Sequence, residues 1–489
     1  MTIANRLSLN KTIAFCVFAL ISSCAFSQGF KKPDYSLETG AAFSAGKETP
    51  FWLLSNQFGS ITPTKFNGWV KGGIHTSLSK KNIDYDYRLE LINRYSNKNE
   101  LYVHQAYLRL KLYFINLQAG SMEETFGNQD SSLSGGGLLW SGNARPMPKI
   151  SIMVPNYTKI PFTFGLLEFK GGISHGWFGD EPFVNKAWLH HKFGYIQFGG
   201  KLPVHIHYGL HHFAQWAGKT ENGFQLPNTL SDFAKVFFAK GGGSGAPEPD
   251  SLNSLGNHIG SRNFGIDADL RNFKIGLYWQ TIFEDGSGKA YRNIKDGLWG
   301  FYLHTKDKNK LVNGIVFEFL NTTDQSGTYN GYWLLNGVKY SYNIPGSEFH
   351  EAGGNDDYFN NGIYQFGWSY KGMTLGTPLI TSPSLLHGDQ SDYIRNNKVT
   401  SYHLGIEGTA KDIAYQIFYT YYLNFGTNFY PINSNKHQHS ILLQTYFKNQ
   451  LPLGIDLSIK IGLDIGSMYG NNIGMQFSLV KKSPFRDIK

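Results

Sequence analysis

The chain has 489 residues, of which 16% are aromatic and only 17% are charged, and its formal net charge is +9. With 56 glycines, this composition is poor for a helical protein and suits many strands joined by tight turns. The sequence has no basic run like a nucleic-acid-binding arm, and after residue 27 no stretch of about 18 apolar residues marks a transmembrane helix. These observations exclude nucleic-acid-binding and helical membrane proteins. They leave a β-barrel, in which only alternate strand residues face lipid.

Residues 1–27 have the pattern of an export signal. Two basic residues precede an apolar run over residues 13–21, and Ala25 and Ser27 stand at positions −3 and −1 of a predicted cleavage before Gln28. A lipoprotein signal cut before Cys24 is the alternative. Both cysteines lie in this segment, so we expect the mature chain, residues 28–489, to depend on a closed hydrogen-bonded sheet instead of disulfides.

Several segments alternate apolar and polar residues with a period of two. Residues 84–94, 264–271, 413–422 and 455–465 follow this pattern, and in three of them the polar set is mostly charged. A soluble sandwich also alternates, but runs of about 9–11 residues match tilted membrane strands, and charged inner faces suit a polar lumen. The sequence therefore predicts an all-β fold, a single transmembrane antiparallel β-barrel of about 16–18 strands.

Long connections are predicted at residues 121–149, 215–261 and 321–361, and short turns near residues 111–113 and 192–194. The long ones are expected to be extracellular or to fold back into the lumen, and ligand-binding residues concentrate in such loops.

The second long connection carries a helix signal. Five apolar residues form one helical stripe that ends at three glycines, residues 241–243, which predicts a short loop helix packed against its own barrel. The stripe consists of Leu230, Phe233, Ala234, Phe237 and Phe238.

Catalytic and metal-binding patterns are weak. His205, His207 and His211 share one face of a predicted strand, which is a weak candidate metal site, but no cysteine or carboxylate follows locally and lumen-lining histidines are the favoured interpretation. The sequence has neither a G-x-S-x-G elbow nor an H-E-x-x-H helix, so neither an enzyme nor a cofactor is predicted.

The segment "LSGGGLLWSGNARPMPKISI", residues 133–152, is rich in glycine. Pro146 and Pro148 oppose the helix that a phosphate-binding loop requires, so a nucleotide site is excluded. Trp140 offers a flat apolar face for a sugar ring, and Arg145 offers a planar fork for a carboxylate or a structural carbonyl.

Four blocks carry a resemblance to a known family. They are "GGGLLWSGNARPMPKISIM", "HHFAQWAGK", "GNHIGSRNFGIDADLRNFKIGLYWQTIFEDGSG" and "GGNDDYFNNGIYQFGWSYKGMTLGTPLI". In this order they resemble the Wzi-type outer-membrane capsule assembly proteins. The resemblance implies a monomeric barrel of about 18 strands in the bacterial outer membrane. It also implies a lectin-like anchor for capsular polysaccharide or exopolysaccharide, working beside a separate polysaccharide-export channel.

We expect the polysaccharide to bind at the extracellular mouth of the barrel, where aromatic faces stack on sugar rings and amides or charges hydrogen-bond their hydroxyls and carboxylates. The helical plug that other members carry at the periplasmic mouth is not expected, because the chain passes almost directly from Gln28 into a predicted strand.

A porin or lipid channel is the alternative function, and an outer-membrane hydrolase is the third. Each candidate polysaccharide-binding residue has a second interpretation, in which it only holds its loop in shape. The candidates are Trp140, Arg145, Asp357, Tyr358, Asn360, Asn361 and Trp368.

Overall fold

Eighteen antiparallel strands form one sheet that closes on itself. The computed structural model describes residues 33–482, apart from residues 81–82, 243–246, 248–253, 285, 328–330, 341–342, 352–355 and 387–392. The predicted export signal lies outside these described residues. The strands are β1 Asp34–Ala45, β2 Phe66–Lys80, β3 Ile83–Tyr95, β4 Asn99–Leu112, β5 Ile115–Ser121, β6 Pro148–Lys159, β7 Leu167–Trp177, β8 Trp188–Phe198, β9 Val204–Trp216, β10 Asn257–Asp269, β11 Phe273–Gln280, β12 Gly297–Thr305, β13 Gly314–Asn321, β14 Val399–Ala410, β15 Ile413–Gly426, β16 Pro431–Leu451, β17 Ile455–Gly466 and β18 Asn472–Lys482.

The first strand closes the barrel. In β1, Phe43 pairs with Phe66 of β2 on one side and with Met475 of β18 on the other. Closure gives the backbone groups of both terminal strands a partner and removes the open edges of the sheet. The predicted all-β barrel is confirmed, at the upper end of the predicted strand count.

Three short α-helices, two 3-10 helices at Pro383–Leu385 and Pro452–Gly454, and three small sheets complete the described structure. The α-helices are α1 Phe51–Leu54, α2 Leu230–Phe238 and α3 Gly286–Lys289. The small sheets pair residues 184–185 with 219–220 and 369–370 with 373–374, and join residues 331–335 to 338–340 and 348–351. Within the described part of the chain, no helix is long and apolar enough to cross a membrane.

The predicted loop helix exists, but its buried face differs from the predicted stripe. Leu230 and Phe238 are 84% and 66% exposed, whereas Val236, outside the stripe, is fully buried. The helix lies against the outside of the barrel wall through Phe233, Val236 and Phe237. Only its middle turns meet the wall, so the apolar residues at its two ends remain uncovered.

Alternation along the strands separates a polar lumen from an apolar wall. In β17, Ile461 and Ile465 are exposed on the outside, while Lys460 and Asp464 point inward. Lys460 donates to Oε1 of Gln57 at 3.0 Å, so this charge finds its partner inside the barrel. The predicted inward orientation of the charged face is confirmed for this strand.

The two rims of the barrel differ in the length of their connections. The outer rim carries six long connections, residues 46–65, 122–147, 178–187, 217–256, 281–296 and 322–398, and three short turns, residues 96–98, 427–430 and 467–471. The connections of the inner rim are at most eight residues long. Short turns lie on the periplasmic side of barrels of this kind, so the outer rim faces the exterior.

Three details of the predicted connections differ from the structure. The connection predicted at residues 321–361 continues to residue 398, and the one at residues 46–65 was not predicted to be long. The turn predicted near residues 192–194 is wrong, because β8 runs straight through it and Gly194 pairs with both Gly171 and Leu210. A glycine that follows shortly after a lysine imitates a turn, but here Gly194 lies on the outward face of a continuous strand.

Long connections fold back and fill the outer half of the lumen. All four residues of α1 are buried, and Nε1 of Trp52 donates to Oγ1 of Thr420 on the wall at 3.2 Å. Further buried aromatic residues from the other connections join this core. The inner half instead carries ion pairs, such as Arg109 with Asp86 at 2.6 Å. The outer half of the lumen is therefore a packed apolar core.

Candidate functional site

Three of the predicted residues meet in the buried core. Trp140, Tyr358 and Trp368 are at most 5% exposed. The Trp140 ring stacks on Phe213 of the wall at 5.5 Å between centroids, and the Trp368 ring lies 5.3 Å from the same phenylalanine. Nε1 of Trp368 donates to the carbonyl oxygen of Leu139 at 2.8 Å. This cluster, which we call the buried aromatic cluster, joins the connections at residues 122–147 and 322–398.

Tyr358 ties the same connection to a third one. Its hydroxyl donates to Oδ2 of Asp296 at 2.8 Å and accepts from Nδ2 of Asn293 at 2.6 Å. Asp296 also accepts from the backbone N–H groups of Asp324 and Gln325. Because every group here has a partner inside the protein, Tyr358 holds connections together in this structure.

The predicted polar residues of the same connection lie between the core and the rim. Oδ1 of Asp357 accepts from Asn397 at 2.6 Å and Oδ2 from Asn360 at 3.1 Å. Burial raises the pKa of the Asp357 carboxyl, although these two hydrogen bonds and the charge of Arg395 act against it. Asn361 uses Oδ1 to accept from two backbone N–H groups of its own turn, and it keeps part of its surface exposed.

Arg145 lies apart from the other six predicted residues. Its guanidinium donates to Oε2 of Glu100 at 3.1 Å and stacks over the ring of Tyr102 at 3.9 Å. Arg94 pairs with the same carboxylate. The side chain of Arg145 is 24% exposed, so part of it reaches solvent beside an ion pair.

The glycine-rich segment is anchored at its start by an aspartate. Oδ2 of Asp130 bonds to Nε2 of His304 at 2.6 Å, and Oδ1 accepts from the backbone N–H groups of Ser132 and Leu133. Burial alone would raise the pKa of the Asp130 carboxyl, but these hydrogen bonds outweigh it and hold that pKa at about 2. Asp130 thus fixes the point at which the buried connection leaves the inner lumen.

The three predicted histidines line the lumen, but they do not all meet the same partner. His205 and His207 both lie 3.6 Å from Asp267, whereas His211 bonds through Nε2 to the hydroxyl of Tyr195 at 2.7 Å.

Among the described residues, one group of side chains has the spacing of metal ligands, and it lies elsewhere in the lumen: Glu90, His104 and Glu123. Lys71 lies 4.0 Å from Glu90, so a protein cation already stands beside this group.

A second aromatic group lies on the outer rim and was not predicted. It consists of Tyr393, Arg395, Phe429 and Tyr430, which we call the rim patch. The Arg395 guanidinium lies 3.9 Å from the ring centroid of Tyr430 and 4.7 Å from that of Tyr393. Phe429 and Tyr430 are 64% and 58% exposed. Within the described residues no carboxylate forms a salt bridge with Arg395, although its charge acts on the Asp357 carboxyl, and its Nε has no hydrogen-bond partner.

The backbone around the rim patch explains why these side chains point outward. Residues alternate, so that Ile394 and Asn396 are buried while Tyr393 and Arg395 face the rim. Nδ2 of Asn396 donates to Oδ1 of Asn424 at 2.7 Å. In the neighbouring connection, Oγ1 of Thr427 accepts from the backbone N–H of Tyr430 at 2.9 Å, which fixes that turn.

Sequence reasoning missed the rim patch because its halves are more than 30 residues apart and share no motif. The available signal was the aromatic residue two positions before Arg395, since alternation places both side chains on one side of an extended segment.

Comparison with known proteins gives one match that identifies a family and not only a similar fold. The family model of the capsule assembly protein Wzi matches residues 48–353, which is more than half of the chain. No match was found among curated protein sequences.

Solved structures of similar fold are outer-membrane barrels. One is Wzi from Escherichia coli, described as an outer membrane protein involved in group 1 capsule assembly and a carbohydrate-binding β-barrel. Its TM-score is 0.57 at 14% identity, covering 92% of this chain and 84% of that one. OprD of Pseudomonas aeruginosa has a TM-score of 0.46 at 9% identity, covering 94% of this chain and 96% of its own. OccK5 of the same organism has a TM-score of 0.45 at 10% identity, covering 92% of this chain and 98% of its own.

The family match and the barrel agree with the four sequence blocks that carried the resemblance, three of which lie entirely within the matched residues, while the fourth begins at their last residue. The protein is an outer-membrane β-barrel, and the chain belongs to the family of the capsule assembly protein Wzi.

Proposed function

We propose that this barrel holds a capsular polysaccharide or exopolysaccharide at the cell surface during capsule assembly, and that it does so without catalysis. The observation that carries the proposal is the rim patch, where Arg395 stands between two aromatic rings and forms no salt bridge among the described residues, with Asp357 interacting only electrostatically. The carbohydrate binding described for the Escherichia coli protein supports the same function.

The chemistry of the rim patch suits a polymer that contains acidic sugars. A guanidinium binds a carboxylate through two parallel hydrogen bonds, and such charge-assisted bonds are about twice as strong as neutral ones. The exposed faces of Phe429 and Tyr430 offer apolar surface for the C–H face of a sugar ring. Arg395 therefore provides preference for acidic sugars, and the rings provide contact area.

The predicted residues divide by exposure and by their hydrogen bonds. Arg145 and Asn361 keep exposed surface, so they stay candidates for direct contact with polymer. Trp140, Tyr358 and Trp368 are buried and hold the connections in place. Asp357 and Asn360 are partly exposed like Asn361, but their hydrogen bonds with Asn397 and the carbonyl oxygen of Ile394 give them the same supporting role. Fixed connections lower the entropic cost of binding, because the rim patch is ordered before the polymer arrives.

A channel function is disfavoured by the packed outer lumen, in which Trp52, Trp140 and Trp368 are at most 5% exposed. Purified protein in planar bilayers should give no steady conductance, and stepwise conductance would show that the channel alternative is right. The monomeric state and the position beside an export channel belong to this proposal. Size measurement in detergent and crosslinking in cells test them.

The function is tested by deleting the gene and measuring surface-bound against released polysaccharide. The released fraction should rise, and the wild-type gene should restore retention while Arg395→Gln restores it only in part. A ratio that does not change on deletion would contradict the proposal. Expression and outer-membrane insertion of each variant are measured in parallel.

A further inference from the structure

The outside of the barrel carries a group of tryptophans and histidines near the outer rim. Trp188 of β8 pairs with Trp177 of β7 and with Trp216 of β9, so three tryptophans stand side by side at the strand ends. One step further down the wall, His175 pairs with His190. Both histidines share the face that carries the tryptophans, so they point away from the lumen.

Helix α2 covers this region. Its N-terminus has a capping box, in which Thr229 and Asp232 satisfy each other's backbone N–H groups. The Phe233 ring lies 5.3 Å from His190 and 5.7 Å from Trp216. Lys192 donates to the carbonyl oxygen of Phe237 and lies 4.2 Å from the ring of that residue. Lys192 therefore marks the point where the helix ends and the bare wall begins.

Directly below this point the wall contains an apolar groove of about 550 Å³. Its floor is a pair of glycines, Gly171 and Gly194, and its sides include Ile152, Ile173 and Leu210. A Cβ atom at Gly194 would meet nothing within 4 Å, so the groove exists because this position has no side chain. Lys192 and Phe237 close its outer end.

Positive charge gathers at the same end of the groove. Lys289 acts electrostatically on Lys192, and both are free of carboxylate partners among the described residues. Arg262 donates to the carbonyl oxygens of Gly288 and Lys289 at 3.2 and 2.6 Å, which holds the Lys289 loop against the wall. An apolar groove that faces lipid thus ends at two ammonium groups on the side of the outer rim.

We propose that this groove is a binding site for an anionic lipid of the outer leaflet. One acyl chain lies over Gly171 and Gly194, and the phosphate of the headgroup pairs with Lys192 and Lys289. A lysine near a membrane surface attracts anionic headgroups, and a phosphate offers several acceptors to the free N–H groups of an ammonium. The site is separate from the rim patch and does not depend on the proposed polysaccharide function.

The test is native mass spectrometry of the detergent-solubilised full chain, with phosphatidylglycerol and phosphatidylcholine of identical acyl chains as probes. We expect preferential retention of phosphatidylglycerol. Lys289→Gln should reduce that retention about fivefold, which corresponds to about 1 kcal/mol, because it removes one ammonium group without removing a contact to α2. Lys192→Gln should reduce it at least as much, and Gly194→Leu should reduce retention of both lipids by filling the groove.

Two matched controls keep the result specific. Lys159→Gln removes a charge from the inner-rim end of β6, and Gly72→Leu adds the same side chain on a distant outward face where a Cβ also has open space. Both should retain lipid like the wild type. Equal retention of the two lipids by the wild type, or equal losses in the site variants and their controls, would overturn the proposal.

Discussion

The buried aromatic cluster and the rim patch are built from similar residues and do different things. In the first, Trp140 and Trp368 pack around Phe213, and Nε1 of Trp368 donates to a backbone carbonyl oxygen inside the protein. In the second, Arg395 and Tyr430 stack on each other at the rim, and the tyrosine remains more than half exposed. Residue type alone suggests sugar binding for both. Burial separates them, because a ring whose surface is already covered has no area left to offer a ligand.

The largest expected effect is on stability and comes from the buried aromatic cluster. Trp368→Ala leaves a cavity and removes the hydrogen bond to Leu139, and should cost about 3–5 kcal/mol of unfolding free energy. Chemical or thermal unfolding in detergent measures this. Trp368→Phe is the control, and should lose only about 1 kcal/mol for the missing N–H donor. Polysaccharide binding per folded molecule should fall little in the phenylalanine variant. A large specific loss of binding there would mean that the cluster contacts polymer.

The rim patch should show the opposite behaviour. Arg395→Gln should weaken binding of an acidic polysaccharide about 10- to 100-fold, the effect of losing a charged hydrogen-bonding group worth about 1.5–3 kcal/mol. Because Arg395 lies at the rim, the unfolding midpoint should stay at the wild-type value. Titration calorimetry with the purified polymer and a melting curve on the same sample check both halves. Unchanged affinity, or a large fall in the unfolding midpoint, would show that Arg395 does not bind polymer in the way proposed and does not differ in role from the buried aromatic cluster.

A pH effect should follow from Asp130, which anchors the buried connection. Its pKa is about 2 in the folded protein, against a usual 3.8. A lowered folded-state pKa stabilises the protein above pH 3.8, and this stabilisation is lost as the pH falls towards 2. The ionised Asp130 therefore contributes about 2 kcal/mol to the free energy of unfolding. The stability difference between the wild type and Asp130→Asn should therefore shrink by about this amount between pH 5 and pH 2. A constant difference would refute the assignment.

The smallest effect is expected at Arg145, which shares Glu100 with Arg94. Since exposed ion pairs contribute less than about 1 kcal/mol, Arg145→Gln should change the unfolding free energy only slightly. Its effect on polymer affinity should be several times smaller than that of Arg395→Gln. An equal or greater loss of affinity would move the centre of the binding site to the Arg145 side of the rim.

The sequence was sufficient for the barrel because strand alternation is a local property. Residues 455–465 alternate in the sequence, and the wall and lumen faces of β17 follow from that pattern alone. The sequence also showed that the glycine-rich segment is not a phosphate-binding loop, because Pro146 and Pro148 oppose the helix that such a loop requires.

The roles of the site residues were not predictable in the same way. Whether Trp140 is covered depends on Phe213 and Trp368, which lie about 70 and 230 positions away, and on how far each connection folds back into the lumen. The same holds for Arg395, whose neighbour Tyr430 belongs to another connection. Long-range packing decides exposure, and a single sequence carries no local signal for it.

The central claim, that the rim patch binds polymer while the buried aromatic cluster only supports it, is tested most directly by one measurement. The affinity of purified acidic polysaccharide is compared for the wild type, Arg395→Gln, Tyr430→Ala and Trp368→Phe, each confirmed as folded. The account predicts that the two rim variants lose affinity at least several-fold, while Trp368→Phe binds like the wild type. Loss in Trp368→Phe together with unchanged binding in both rim variants would contradict it.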